Sequence, residues 1–230
     1  MWVKRAPDDH EKALLERARK YARILSWIPG IEMIAVVNSV SMYATHPDSD
    51  IDFFIITRPK NIWFVRFFAT TLLWSAGVWR HGEDIAWNIC LSFFITTEAM
   101  DLEKIAIDND IYLAFWIEYM IPLYNHSGTY EAFMEANNWR TRYTWKAIKE
   151  TWPIKTEESS YMELIHLKAR VLTEMYDGLL KSFLMKKALK SFQEKWEPAW
   201  VIISDTMLKF HDNDQRTKIR DEIMKKYFDK

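Results

Sequence analysis

Two carboxylates lie two residues apart in Asp50-Ile51-Asp52, at the head of a run where Asp50, Asp52, Phe54 and Ile56 alternate with Ile51, Phe53 and Ile55. Residues i and i+2 of an extended strand share a face, so both carboxylates point the same way. Paired carboxylates supply the hard oxygen ligands that a divalent cation takes. A cation held there suits phosphoryl transfer, in which it neutralises a triphosphate and activates the attacking oxygen; a second ion would serve entering and leaving oxygens alike. An acidic pair at a strand start also has a plainer use, facing water and discouraging edge pairing. The combination around the pair is what points to chemistry. A hydrophobic run, Ile31 to Val37, ends in the small polar pair Asn38-Ser39, and ten residues later the two acids open a second hydrophobic run.

The elements needed to position these groups are legible in the pattern. Asp8 and Asp9 precede a helical face of Leu14, Ala18, Tyr21, Leu25 and Ile28, which stops at Pro29-Gly30. Ile31 to Val37 reads as a buried strand, and Asp50 to Thr57 as a second strand closed by Arg58-Pro59. An apolar helix is expected from Asn61 to about Arg80, and a third strand over Asn88 to Thr96. Further on, Ile111 to Tyr124 and Tyr130 to Tyr143 read as helices around the turn Asn125 to Gly128. Pro153 and the polar run Lys155 to Ser160 mark a boundary. Beyond it Tyr161, Ile165, Leu172, Met175 and Leu179 trace a long helix, followed by a short apolar segment around Trp200 to Ile203 and a charged helix from Asp214.

Asn38-Ser39, the loop and Asp50-Ile51-Asp52 together resemble the signature of the DNA polymerase beta superfamily of nucleotidyltransferases: Gly-Ser or Gly-Gly, a loop of about that length, then Asp-hydrophobic-Asp. The stretch Asp48 to Thr57, DSDIDFFIIT, is most similar to the minimal nucleotidyltransferases, and the resemblance spans about Ala13 to Thr96. It implies that Asn38 and Ser39 bind nucleotide phosphates and that Asp50 and Asp52 are catalytic and hold magnesium. It further implies an α+β fold: a small mixed sheet of at least three strands with helices packed on one side, occupying residues 1–150, followed by a helical region over residues 151–230. The expected activity is magnesium-dependent transfer of a nucleoside monophosphate from a nucleoside triphosphate such as ATP to a hydroxyl on a protein, small molecule or nucleic acid.

The sequence departs from the signature twice. Asn38 stands where the family places glycine; asparagine tolerates a left-handed backbone better than most residues, but its side chain fills space that glycine leaves to a phosphate. No acid lies within Asn88 to Thr96, where a third carboxylate belongs, so Ser92 or Asn88 takes that place, with Glu83, Asp84 and Glu98 flanking. A transferase without that acid lacks an obvious proton acceptor. These departures equally fit a catalytically inactive nucleotidyltransferase-like module that binds nucleotide or a partner protein.

Other residues have plainer readings. Arg80 and His81, which follow the apolar helix, complement its dipole or meet a triphosphate, and His46 shapes the loop before the acids. Asp212 or Asp214, within Phe210 to Arg216, caps a helix, or that tail meets the cleft. Trp139, Trp145 and Trp152 belong to an aromatic core or stack on bases. Lys186, Lys187 and Lys190 form a solvated face. The six dispersed histidines show no metal-ligand spacing.

Lys and Arg number 31 against 32 Asp and Glu, so no global positive field recruits a nucleic acid. The single cysteine, Cys90, excludes an internal disulfide and a cysteine-based zinc site within one chain. With the polar, charged stretch Met1 to Lys12, this fits a cytoplasmic protein. Ile62 to Trp79 approaches the roughly 20 residues of a membrane span, but Arg66 and Thr70 share a face as on a buried helix, and a charge in lipid is costly, so no span is expected.

Overall fold

In the computed structural model, which describes residues 6–81, 85–144, 160–193, 201–210 and 216–227, every residue of strand β1 (Ile31–Val37) and of strand β2 (Ile51–Thr57) is buried. Burial on both faces is what near-continuous runs of branched and aromatic residues call for. β1 and β2 are antiparallel, with Val37 opposite Asp52. A third strand, β3 (Ile89–Thr96), runs parallel to β2, a geometry that requires a crossover. Helix α3 (Ile62–Ser75) provides it.

Strand β4 (Ile121–Asn125) pairs with β1, and a hairpin of β5 (Val201–Ile203) and β6 (Met207–Phe210) pairs through β6 with β3. The result is a six-stranded mixed sheet in the order β4-β1-β2-β3-β6-β5. The fold is therefore α+β, as expected, with more strands than the expected minimum. The carboxyl-terminal region is mostly helical, through α7 (Ser160–Gln193) and α8 (Arg216–Tyr227), yet the short apolar segment expected near Ile203 is one arm of the hairpin.

Helices cover both faces of the sheet, a correction to the one-sided packing expected. On one face α1 (Asp9–Leu25) and α3 pack Leu14, Ala18, Trp63 and Leu73 against Ile34, Phe53, Ile55 and Phe94. On the other, α4 (Ile111–Glu118) and α5 (Thr129–Ala136) pack Ala114, Ile117 and Phe133 against Ala35, Phe54 and Ile95. Helix α4 ends at Glu118 and the chain enters β4, so the expected single helix over Ile111 to Tyr124 is a helix and a strand. The apolar run hid the junction, but Pro122 belongs on an edge strand and would break a helix interior. The expected helix Tyr130 to Tyr143 is likewise divided, into α5, a 3₁₀ turn at Asn138–Arg140 and the short α6 (Thr141–Thr144).

Asp8 caps α1 and forms a capping box with Glu11, as its position before the helical face suggests. Helix α3 stops at Ser75, five residues before the expected end, where Gly77 takes a positive φ of 66°. Its Arg66 donates to the Leu91 carbonyl at 2.9 Å and lies 3.9 Å from the centre of the Phe210 ring. Burial pulls the Arg66 guanidinium down to about 10. Among the described residues no helix is long and apolar enough to cross a membrane. Trp139 is core, packed with the second face, while Trp145 and Trp152 lie outside the described residues. The cluster His211 to Gln215, with Asp212 and Asp214, lies outside them too, as do Glu83, Asp84 and the side chains of Lys187 and Lys190; Lys186 is exposed.

Candidate functional site

Strand β1 delivers Asn38 to the edge of the sheet at a backbone φ of 58°, the left-handed region that glycine ordinarily serves. Asparagine is among the few other residues that enter that region readily, so the turn forms without glycine. Asn38 opens a short helix, α2 (Asn38–Ser41), and its carbonyl accepts from Met42 N and from Ser41 Oγ, both at 3.0 Å. Ser39 follows, half-buried, with its carbonyl accepting from Ala44 N at 2.9 Å.

The loop from α2 to β2 is tied down by α1. Glu11, fully buried, accepts from Thr45 N at 3.3 Å and from Thr45 Oγ1 at 3.2 Å. Within it the His46 backbone N–H donates to Ser49 Oγ at 2.8 Å, and its carbonyl accepts from Ser49 N at 3.0 Å. The loop therefore presents Asp50 and Asp52 from a fixed backbone.

The parallel register sets Cys90 beside Asp52. Ligand atoms of Asp50, Asp52 and Cys90 all lie within 4.8 Å of one another. The place beside the acids thus belongs to Cys90, a correction to the expectation of Ser92 or Asn88. The register alone places Cys90 there; after it β3 carries an extra residue between Cys90 and Phe93 relative to Phe53, a bulge that takes Ser92 out of simple alternation. Ser92 remains close enough to hydrogen-bond Cys90.

Arg80 also belongs to the site and does not serve as a helix-end charge. Beyond the end of α3, Arg80 N donates to the Ile89 carbonyl and Ile89 N to the Val78 carbonyl, which fixes this segment alongside β3. From there Arg80 Nε lies 3.2 Å from Asp50 Oδ2, and Nη1 donates to Cys90 Sγ at 3.5 Å. His81 instead stacks on Trp79, with its Nδ1 2.9 Å from the Trp79 carbonyl.

Burial pushes the Asp52 carboxyl up from the ordinary range, against hydrogen bonds from Asn38 and Cys90 and the charge of Arg80. Burial also pushes the Cys90 thiol up to about 12, and neighbouring Asp52 adds to the effect. Asn38 Oδ1 accepts from the Tyr112 hydroxyl at 3.2 Å, which leaves its amide group for Asp52. Of the residues singled out by sequence, Asn38, Asp50 and Asp52 converge, with Ser39 on the adjoining turn. Cys90, Arg80 and Tyr112 join them. Cys90 had a signal in the alternation Asn88, Cys90, Ser92, and Arg80 as a basic residue following the apolar helix, whereas Tyr112 had none.

No protein-family profile and no curated protein matches the sequence. Similar solved structures include a toxin-antitoxin complex with AMP-PNP, at 16% identity and a TM-score of 0.33 over 57% of this chain and 90% of that one. A mutant of the toxin-antitoxin pair MntA-HpeT matches at 13% identity and a TM-score of 0.31, over 59% of this chain and 90% of that one. A tri-AMPylated HEPN toxin of Shewanella oneidensis in complex with its MNT antitoxin matches at 14% and 0.31, over 59% of this chain and 91% of that one. At such distance function must be read from the site itself.

Proposed function

We propose that this protein binds a nucleoside triphosphate at the Asn38, Asp50 and Asp52 cluster and transfers its nucleoside monophosphate to a hydroxyl acceptor. The acceptor oxygen would bond to the α-phosphorus, the bond from that phosphorus to the bridging oxygen would break, and pyrophosphate would leave. The observation that supports this reading is the convergence of a left-handed Asn38 turn with two carboxylates whose oxygens, with the Cys90 sulfur, lie within 4.8 Å of one another.

The donor set fits magnesium in part. Asp50 and Asp52 offer hard oxygens and would hold the ion, whereas a neutral thiol is a soft donor that adds no charge. When bound, the ion would screen the triphosphate and stabilise charge on the leaving oxygen. The chain's own groups would do the rest. Asn38 and Ser39 would position the phosphates at the turn. Arg80, already opposite Asp50, would turn part of its charge to the triphosphate. With Asp50 and Asp52 taken up by the ion, the incoming hydroxyl would pass its proton to water at the site.

A second reading, a nucleotide-binding or protein-interaction module without catalysis, is favoured by Cys90 in place of an acid and by Asn38 bonded to Asp52. Calorimetric titration with each nucleoside triphosphate, with and without magnesium, tests the site, and incubation with α-labelled nucleotide tests transfer. Metal-dependent binding lost in Asp52→Ala, with label moving to an acceptor, supports the transferase. Binding without transfer supports the module, and no binding of any nucleotide sinks the nucleotide site.

A further inference from the structure

Helix α7 is 34 residues long, roughly 51 Å at 1.5 Å per residue, whereas α3, the helix it packs along, has 14 residues and spans roughly 21 Å. Its body-facing side is clear. Thr173 and Asp177 are buried, with Asp177 Oδ1 accepting from Phe64 N at 2.8 Å, and Leu180 and Leu184 pack on the first-face core. One residue back at each step, about 100° round the helix, runs a second apolar stripe. Leu172 is 56% exposed, Tyr176 49%, Leu179 64% and Phe183 65%, and Val171 and Met175 flank them in the open. A helix apolar on two sides belongs between two layers, and the fold supplies one. At roughly 100 Å² of exposed surface for each of six large residues, the stripe reaches the upper end of what monomers leave open. It also approaches the roughly 800 Å² that each partner contributes to a stable pair.

We infer that this stripe is the two-fold contact between two copies of the chain, formed by antiparallel α7 helices. The inference is independent of the nucleotide site. Steps of four, three and four residues from Leu172 through Tyr176 and Leu179 to Phe183 are the spacing of a coiled-coil seam. Run antiparallel against itself about a two-fold axis between residues 177 and 178, the stripe is self-complementary: Leu172 meets Phe183 of the second copy and Tyr176 meets its Leu179. Each seam residue finds one partner and none is left over, as an isologous contact requires. The next seam position is the exposed Lys186, which ends the stripe.

The full chain in light scattering after gel filtration should show twice the chain mass, and Leu179→Glu, which sets carboxylates in the seam, should return it to 27.6 kDa with its melting temperature kept. Lys186→Glu, one step past the last apolar seam residue and already polar at that position, should leave the pair intact. Register is read by oxidation: Leu172→Cys and Phe183→Cys should cross-link when mixed and neither alone, because like positions lie far apart across the axis while unlike ones meet at disulfide distance. This readout stands even where Leu179→Glu fails to fold. A wild-type mass of one chain, a Leu179→Glu variant still paired, or either cysteine variant linking to itself would overturn the contact. So would a single-chain protein that pellets with anionic vesicles, which would assign the stripe to a lipid surface.

Discussion

Arg80→Gln separates a counter-ion that competes with metal from one that merely braces the fold. Arg80 Nε is 3.2 Å from Asp50 Oδ2, and the guanidinium side chain is 39% exposed. Unit charges about 4 Å apart interact by about 4 kcal/mol at an effective dielectric of 20. With this much solvent the realistic figure for such a pair is about 1 kcal/mol. A divalent ion drawn to Asp50 meets the same guanidinium with twice the charge, so removing Arg80 relieves repulsion of about 1 to 2 kcal/mol, roughly a tenfold gain in affinity. Titration of nucleotide-free Arg80→Gln with magnesium or manganese should therefore show metal binding about tenfold tighter than wild type. The gain should shrink as salt screens the half-open pair. Affinity for nucleotide with magnesium should move the other way, because the triphosphate loses a cation. If metal affinity in the variant equals that of wild type at low salt, Arg80 is a brace and the competition is refuted.

Asp177 of α7 caps α3 in trans, since the helix's own N-cap residue, Asn61, makes no side-chain cap bond. Asp177→Ala should cost about 1 kcal/mol, a fall in Tm of roughly 2 to 4 °C. Burial holds the Asp177 carboxyl above its ordinary 3.8, outweighing bonds from the Phe64 and Trp63 amides. A raised folded-state pKa gives a contribution present below the unfolded value and lost as pH rises through the folded one. Asp177→Asn keeps an acceptor for Phe64 N, so its Tm relative to wild type should climb as pH rises past the ordinary 3.8; a pH-independent difference would contradict this. With its thiol pushed up to about 12 against an ordinary 9.0, Cys90 should react with iodoacetamide roughly 1,000-fold more slowly in the native protein than in urea, and comparable rates would refute the burial argument. Gly30 has a φ of 95°, and a Cβ there would lie 2.5 Å from Asn61 Oδ1. Gly30→Ala should thus cost about 1 to 3 kcal/mol, and a melting temperature within a degree of wild type would show that Asn61 yields.

What local sequence carries was legible. The bounds of β1, β2 and β3 follow from branched and aromatic runs to within a residue, and the face from Leu14 to Ile28 is buried throughout, although α1 ends at Leu25. Paired acids two apart on a strand placed Asp50 and Asp52 on one face without knowledge of any partner strand. What was not legible depends on register between distant segments. Cys90 reaches Asp52 because β3 lies parallel to β2 in the register that pairs them, and no residue near position 90 announces the bulge that follows. Arg80 reaches Asp50 because the chain leaves α3 at Ser75 and runs beside β3, so a residue expected at a helix end lies at a strand end. Pro122 did signal the break between α4 and β4, but a continuous apolar run outweighed one residue in the pattern.

The two departures from the family signature, read separately from sequence, meet at one carboxylate. Asn38 bonds Asp52 from β1 and Cys90 bonds it from β3, while Arg80 takes Asp50 from outside the sheet. Where the resembled pattern has a glycine and a third acid, this chain has two neutral hydrogen-bonding groups. The site therefore carries one negative charge fewer than three acids would give, and Arg80 offsets another. A pair of buried carboxylates left without such partners would carry a heavy desolvation cost. Asn38, Cys90 and Arg80 reduce that cost without a metal, and they do so at the same two carboxylates a metal would need. On the proposed function, turnover would be decided by a competition between the chain's own ligands for Asp50 and Asp52 and an incoming cation with its triphosphate.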